Sequence, residues 1–209
     1  MMQTAKRSPS RALECVVLLG VAITITGCTV QQKGSKGNED VKIATPMGAM
    51  QVKTNAAVVL ADIGLPLYPG AVPLTKKEGH DDGAADVNMS FGNFRLRVKA
   101  ASFHTNDPSD KVLAYYQKEL GRYGDVLQCK DSHAVGKPVM TSEGLTCDND
   151  THSHIQVDEG MAGSKLELKA GSKQHQHIVA IDPQSDGTKF GLVMLDLPGG
   201  NMMGGKETN

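Results

Sequence analysis

Apolar and polar residues alternate along the middle of the chain in segments that predict β-hairpins. Residues 41–45 and 50–54 alternate on either side of a short turn that contains Pro46 and Gly48. Residues 87–91 and 94–98 alternate in the same way around Gly92 and Asn93, a two-residue hairpin turn. Each hairpin is expected to place its apolar side chains on one face and its polar side chains on the other.

The second hairpin contains a change in the phase of its pattern. Phe94, Leu96 and Val98 are apolar at even positions, whereas Ala101 and Phe103 are apolar at odd positions. Side chains of one strand alternate strictly between two faces, so a single apolar face predicts a bulge or a bend near Ala100.

Further strands are predicted in the last third of the chain. Residues 166–170 alternate before a break at Gly171, and residues 177–181 alternate before a turn at 183–187. Residues 190–197 are apolar at both parities and predict a last, more buried strand.

Two segments carry helix signals. Asp107 as cap and Pro108 at the first helical position precede an apolar stripe that runs to Leu120. Asn55 is placed to cap a shorter helix that ends at Gly64. The chain is therefore expected to fold as an α+β domain, an antiparallel sheet packed by one principal helix and a short second helix.

The ends of the chain differ from this middle part. Lys6, Arg7 and Arg11 precede an apolar run of about 11 residues, which is an export signal and is shorter than the about 20 residues that a membrane-spanning helix needs. The predicted organisation is a signal peptide at 1–27, a lipidated cysteine with a flexible tether at 28–40, a single α+β domain at 41–197 and a flexible tail at 198–209. The signal and the tether are expected to be disordered, and residues 29–40 of the tether contain one apolar residue, which leaves little that could be buried.

The end of the export signal, Ile25-Thr26-Gly27-Cys28, resembles the lipobox of bacterial lipoproteins. The resemblance implies cleavage before Cys28 and attachment of diacylglycerol to its sulfur, with palmitate-type acyl chains in a membrane. An ordinary secretory signal is the alternative. By the same resemblance Thr29 favours the outer membrane, and whether the domain faces the periplasm or the cell surface stays open.

Charge and cysteine usage narrow the expected partners and bonds. Without residues 1–27 the chain keeps 19 Lys and Arg against 22 Asp and Glu, and it has no basic block, so nucleic acid is not an expected partner.

Cys15 leaves with the signal and Cys28 is expected to carry lipid. Cys129 and Cys147 then remain, and in an oxidising envelope compartment they predict a disulfide.

Two further segments, Gly64-Leu-Pro-Leu-Tyr-Pro-Gly-Ala71 and the run from Phe103 to Leu120, resemble a group of uncharacterised bacterial envelope proteins. That group pairs a "YPGA" segment with a helix of the pattern T-x-D followed by K-V-x-x-Y-Y. The resemblance covers about residues 41–130 and implies a fold without an assigned activity.

Histidines form the most suggestive candidate site. His152 with His154, and His175 with His177, are pairs spaced two apart, which on a strand place both imidazoles on one face. Such a set can bind a transition metal such as zinc. The alternative is a solvated polar loop, since neither pair matches an established metal motif.

Other polar groups have simpler interpretations. Residues 76–86 predict a polar loop whose aspartates do not match an EF-hand. Arg95, Arg97 and Lys99 form a basic row on one strand face, either solvated or facing an acidic partner. Tyr115, Tyr116 and Tyr123 are expected to be packing residues.

Two functions are compatible with these patterns. The first is a lipid-anchored envelope protein that is not an enzyme and that binds or scaffolds another envelope component without a cofactor. The alternative is a metal-binding or metal-dependent envelope protein that uses the histidine pairs. No nucleophile elbow, Walker loop or dinucleotide fingerprint occurs, although a hydrolase site assembled from distant residues would leave no motif.

Overall fold

The protein is seen in a computed structural model that describes residues 28–35, 38–74, 83–147 and 166–199. These residues form one antiparallel sheet and two helices. The strands are β1 (Thr29–Ser35), β2 (Asn38–Thr45), β3 (Gly48–Lys53), β4 (Val72–Pro73), β5 (Ala84–Phe91), β6 (Phe94–Thr105), β7 (Val126–Lys130), β8 (His133–Ala134), β9 (Leu166–Gly171), β10 (His175–Gln184) and β11 (Gly187–Asp196). The helices are α1 (Ala56–Ile63) and α2 (Ser109–Leu120), and a 3-10 turn (Gly121–Tyr123) follows α2.

The sheet has the strand order β1-β2-β3-β5-β6-β11-β10-β9-β7-β8, and β4 pairs with the far end of β6. The long strands β6, β10 and β11 form its centre, and most sequence neighbours pair as hairpins. The expected class, an antiparallel sheet with two helices, is confirmed in this coarse form. The sheet accounts for a larger share of the fold than the sequence predicts.

Both helices pack on the same face of the sheet and enclose the main core. Val59 and Ile63 of α1, and Val112 and Tyr116 of α2, are fully or almost fully buried against it. The sheet side chains that they cover come from five strands: Ala84, Ala101, Phe103, Leu168, Ala170, Val179, Ile181, Phe190 and Leu192. Burial of this large apolar set is the main stabilising term of the fold.

Helix α1 begins and ends as predicted. The Asn55 side chain accepts a hydrogen bond of 3.1 Å from the Val58 N–H, and Gly64 adopts a left-handed conformation with φ of 79°. The predicted start of helix α2 is wrong by one residue. Pro108 occupies the cap position instead of the first helical position, and Asp107 does not cap the helix. The Asp107 carboxylate is bonded instead to Tyr68 and Lys111.

Of the bulge or bend predicted near Ala100, the bulge is wrong. Strand β6 pairs without interruption with β5 over residues 94–101 and with β11 over residues 97–105. Regular alternation places Ala101 and Phe103 under the helices, whereas Leu96 and Val98 lie on the opposite face. The two halves of β6 therefore carry their apolar side chains on opposite faces, and the change of phase in the sequence marks this exchange.

The flexible tether predicted at residues 28–40 is wrong for the described part of that segment. Residues 29–35 form β1 and residues 38–40 begin β2, paired in register from Thr29 with Ala44 to Ser35 with Asn38. Backbone hydrogen bonds to an adjacent strand account for this order, because they do not depend on the apolar side chains that this segment lacks. Residues 1–27 and 200–209, predicted as signal peptide and most of the tail, lie outside the described residues.

Candidate functional site

The proline-rich segment, residues 64–71, and the run from Phe103 to Leu120 meet in space. The Tyr116 side chain is fully buried, and its hydroxyl accepts a hydrogen bond of 3.1 Å from the Tyr68 N–H and donates one of 3.2 Å to the Pro66 carbonyl. The Tyr115 hydroxyl donates to the Leu67 carbonyl at 3.4 Å. Adjacent tyrosines of α2 thus hold three consecutive residues of the proline-rich segment.

The other motif residues complete this attachment. The Tyr68 hydroxyl donates to Asp107 at 2.9 Å, and Lys111 donates to the second oxygen of the same carboxylate at 3.0 Å. These bonds keep the Asp107 carboxylate charged, since Lys111 and then Tyr68 hold the pKa of Asp107 below its ordinary value. In the turn that follows Tyr68, the Ala71 N–H donates to the Tyr68 carbonyl, and Gly70 has a φ of 76°. The two segments thus form a structural clamp in which the hydroxyls of Tyr68, Tyr115 and Tyr116 all have partners.

The predicted histidine site is present only in part within the described residues. His175 and His177 lie on one face of β10, as their spacing predicts, but their surroundings differ. His175 is exposed and its Nδ1 lies 2.7 Å from Asp196 Oδ1. His177 is stacked on the Tyr123 ring with a centroid distance of 3.7 Å. His152 and His154 lie outside the described residues, so their convergence with this pair stays a prediction.

The environment of His177 favours its neutral form. Burial lowers the pKa of His177 below its ordinary value, and this effect outweighs the opposing hydrogen bond with the Ile63 backbone. Across the described ranges, no group of three or more His, Cys, Asp or Glu side chains is placed to hold a metal ion. His177 therefore serves first as a packing residue between β10 and the 3-10 turn.

The basic row on β6 is divided between internal and surface roles. Lys99 lies 2.6 Å from Asp62 of α1 and 3.4 Å from Asp86 of β5, and Asp86 is buried. Asp86 was predicted to lie in a polar loop, but it is a strand residue that faces Lys99 across the sheet register. Arg97 pairs with Asp196 at 3.9 Å, and Arg95 is exposed. Two residues of the row thus meet acidic groups of this chain itself.

A shallow, open groove lies beside the end of α1. It has a volume of about 420 Å³ and apolar walls from α1 and from the segment that follows Gly64. Its one charged lining residue, Arg122, already donates a hydrogen bond of 3.0 Å to the Gly64 carbonyl. The groove therefore offers a ligand few polar groups that lack a hydrogen-bond partner.

The predicted disulfide is present. Cys129 of β7 and Cys147 are bonded, with 5.6 Å between their Cα atoms. They form a small second core with Leu127 and Leu145 on the face opposite the helices. The buried Lys169 donates to the Cys147 carbonyl at 3.5 Å, so the bridge and this bond together fix the end of the bridged segment.

The most unusual surface is one that the sequence interpretation did not identify. On the face opposite the helices, β2, β3, β5 and the first half of β6 present apolar residues, and β11 and β10 continue the row. Neither helix packs on this surface, which we call the uncovered face. It consists of Val41, Ile43, Met50, Val52, Val87, Met89, Leu96, Val98, Ile178, Val193 and Leu195.

The two faces of these strands have opposite character. Across β2, β3 and β5 the positions between Val41 and Phe91 that point to the uncovered face carry no charge. The helix-side positions of the same strands include Asp40, Lys42, Lys53 and Asp86. Of the eleven residues of the uncovered face, ten are half-buried and Val193 is buried. Within the described ranges, neither helix lies over them.

Comparison with protein-family models, with curated proteins and with solved structures returns no match. The function must therefore be argued from the geometry. Cys28, the predicted lipidation site, is a free and exposed cysteine directly before β1. Among the described helices, none is long and apolar enough to span a membrane.

Proposed function

We propose that this chain is a lipid-anchored bacterial envelope protein whose domain binds another envelope protein through the uncovered face and performs no catalysis. The lipobox resemblance supports the anchor at Cys28 and favours the outer membrane. The observation that carries the binding role is the uncovered face itself. A sheet normally buries its apolar face against another layer, and here that layer is supplied by neither helix.

The size of the face supports a protein partner. Six strands spaced about 4.8 Å apart and about five residues of 3.4 Å along each give roughly 500 Å² in plan. Large exposed apolar patches of this extent on single chains are mostly interaction sites. This plan area is below the about 800 Å² per partner of a standard interface, so a small interface is expected. The partner is expected to present an uncharged apolar surface, because a charge facing these strands would lose its hydration without gaining an opposite charge.

Site-specific photocrosslinking in the native host tests this proposal. A photoreactive residue at Met89, on the uncovered face, should give a discrete protein adduct of reproducible mass. The same residue at Ser90, the next position on β5 and on the opposite face, is the matched control and should not give it. The substitution Met50→Asp on the neighbouring strand should abolish the Met89 adduct, since it introduces a charge into the apolar contact.

Two results would contradict the proposal. Equal adducts at Met89 and Ser90 would show that the face has no preference for a partner. Adducts to lipid alone, or to a second copy of this chain alone, would exclude a role in binding another envelope protein.

A further inference from the structure

The end of the sheet that carries Cys28 also carries Met47, the most exposed large apolar side chain among the described residues. Thr29 pairs with Ala44, so Cys28 lies beside the turn between β2 and β3. Gly48 follows that turn and pairs with Phe91, and Phe91 pairs with Phe94 at the next hairpin. Cys28 and both turns therefore lie along one edge.

Three side chains at this edge are strongly exposed. Met47 in the first turn is 83% exposed, Val30 is 64% exposed and Phe91 is 46% exposed. Phe94 is partly covered by Phe91, whose ring centroid lies 6.5 Å away. We call Val30, Met47, Phe91 and Phe94 the apolar end. Within the described ranges, a methionine and an aromatic ring are thus left exposed at two adjacent turns.

The position of Phe91 is fixed by the sheet. Its ring lies across Gly48 of the adjacent strand, where a Cβ atom would collide with it. The ring is thus held at the edge without being buried there. A side chain ordered in an exposed position loses little further conformational entropy when a partner covers it.

The charges at this edge suit a lipid surface. From Thr45 to Ala49 and from Phe91 to Phe94 the chain has no charged residue, and the next residue along β6 is Arg95, which is exposed. Insertion of the apolar end into a bilayer would therefore desolvate no carboxylate, and Arg95 can extend to anionic headgroups.

We propose that the apolar end inserts into the bilayer that holds the Cys28 lipid, as a second membrane contact that fixes the orientation of the domain. The occupant is phospholipid, and this inference rests on the proposed anchor. A lipid attached one residue before β1 places this edge within a few ångströms of the membrane surface, since each residue spans about 3.4 Å. With the apolar end inserted, the strands stand upright on the membrane and the uncovered face is presented sideways to its partner.

A single tryptophan tests the contact, because the chain has none of its own. In the acylated protein reconstituted into phosphatidylethanolamine and phosphatidylglycerol vesicles with brominated acyl chains, Phe91→Trp should be quenched and shifted to shorter wavelength. Val72→Trp is the matched control. Val72 is 57% exposed and pairs with His104, ten residues along β6 from Phe94 and about 34 Å away.

Two further variants make the outcome decisive. Met47→Asp should reduce the quenching of Phe91→Trp, because a carboxylate in the turn opposes insertion. In the unacylated Cys28→Ser chain, Met47→Asp should weaken partition into the same vesicles about tenfold. Met47 lies in an exposed turn, so this substitution leaves the core intact.

The failures of the two proposals are distinguishable. If the acylated protein gives equal quenching at positions 91 and 72, the apolar end does not insert, and the proposed anchor stands without it. If Cys28 is not acylated in the host, the proposed anchor is wrong. Partition of the unacylated chain, with and without Met47→Asp, then decides insertion by itself.

Discussion

Removing one buried hydroxyl, in Tyr116→Phe, should measurably loosen the clamp between α2 and the proline-rich segment. The Tyr116 hydroxyl satisfies the Tyr68 N–H at 3.1 Å and the Pro66 carbonyl at 3.2 Å, and the Tyr116 side chain is fully buried. Phenylalanine keeps the ring contacts, so the packing loss is small. The variant leaves a buried N–H donor without an acceptor, which costs about 1–3 kcal/mol. The Pro66 carbonyl also loses its hydrogen bond, so we expect the free energy of unfolding to fall by about 2–3 kcal/mol in total.

Urea unfolding of the disulfide-bonded domain measures this loss. A decrease of this size lowers the thermal midpoint by roughly 4–10 °C for a domain of this length. The matched control is Tyr115→Phe on the same helix, whose hydroxyl makes one longer bond of 3.4 Å to Leu67 at a less buried site. It should cost less than about 1 kcal/mol. Equal effects of the two substitutions, or a Tyr116→Phe variant as stable as the parent, would refute the assignment of the motif tyrosines to a structural clamp.

Three further substitutions test other parts of the account. Replacing both Cys129 and Cys147 by Ser should lower stability by about 3 kcal/mol, because the bond closes a segment with a sequence separation of 18; a reductant should lower the urea midpoint of the parent and leave that of the double variant unchanged. Lys99→Ala removes the cation beside the buried Asp86 and should lower the free energy of unfolding in urea by about 2–4 kcal/mol. The control Arg95→Ala, on the same strand face, should lower it by less than about 0.5 kcal/mol. Similar losses in the two variants would argue against the internal role of Lys99. Burial lowers the pKa of His177 below 6.5 in the folded protein, so the unfolded chain binds a proton at this residue more readily than the folded protein does. The stability that neutral His177 contributes is therefore complete above pH 6.5 and is lost as the pH falls toward the pKa of the folded protein. In His177→Gln the urea midpoint should therefore change less with pH between about pH 7 and 5 than in the parent, whereas His175→Gln, at an exposed site, should retain the pH dependence of the parent. A parent midpoint that rises on acidification through this range would contradict the expected direction.

Local signals in the sequence were sufficient for the elements that depend on local chemistry. The Asn55 cap, the glycine that ends α1 and the hairpin turn at Gly92 and Asn93 were all predictable, because each depends on a residue and its near neighbours. The pairing of Cys129 with Cys147 was predictable because Cys15 is expected to leave with the signal and Cys28 is expected to carry lipid.

Long-range features were not predictable in the same way. Strand β1 depends on backbone pairing with β2, which leaves no apolar pattern in residues 29–35. The uncovered face did leave a signal, the change of apolar phase between Val98 and Ala101. A pattern predicts that a side chain is apolar, but only the position of the helices shows which face is covered. For the candidate site, the sequence predicted that His175 and His177 share a face, but not that His177 stacks on Tyr123.

The proposed anchor at Cys28 connects the proposed function to the proposed insertion of the apolar end, so its chemistry is the most direct test of the account. The measurement is intact-mass and amino-terminal mass spectrometry of the protein isolated from its native host. We expect a chain that begins at Cys28 with a diacylglycerol group on its sulfur. A chain with an unmodified Cys28, or one that retains residues 1–27, would contradict the account.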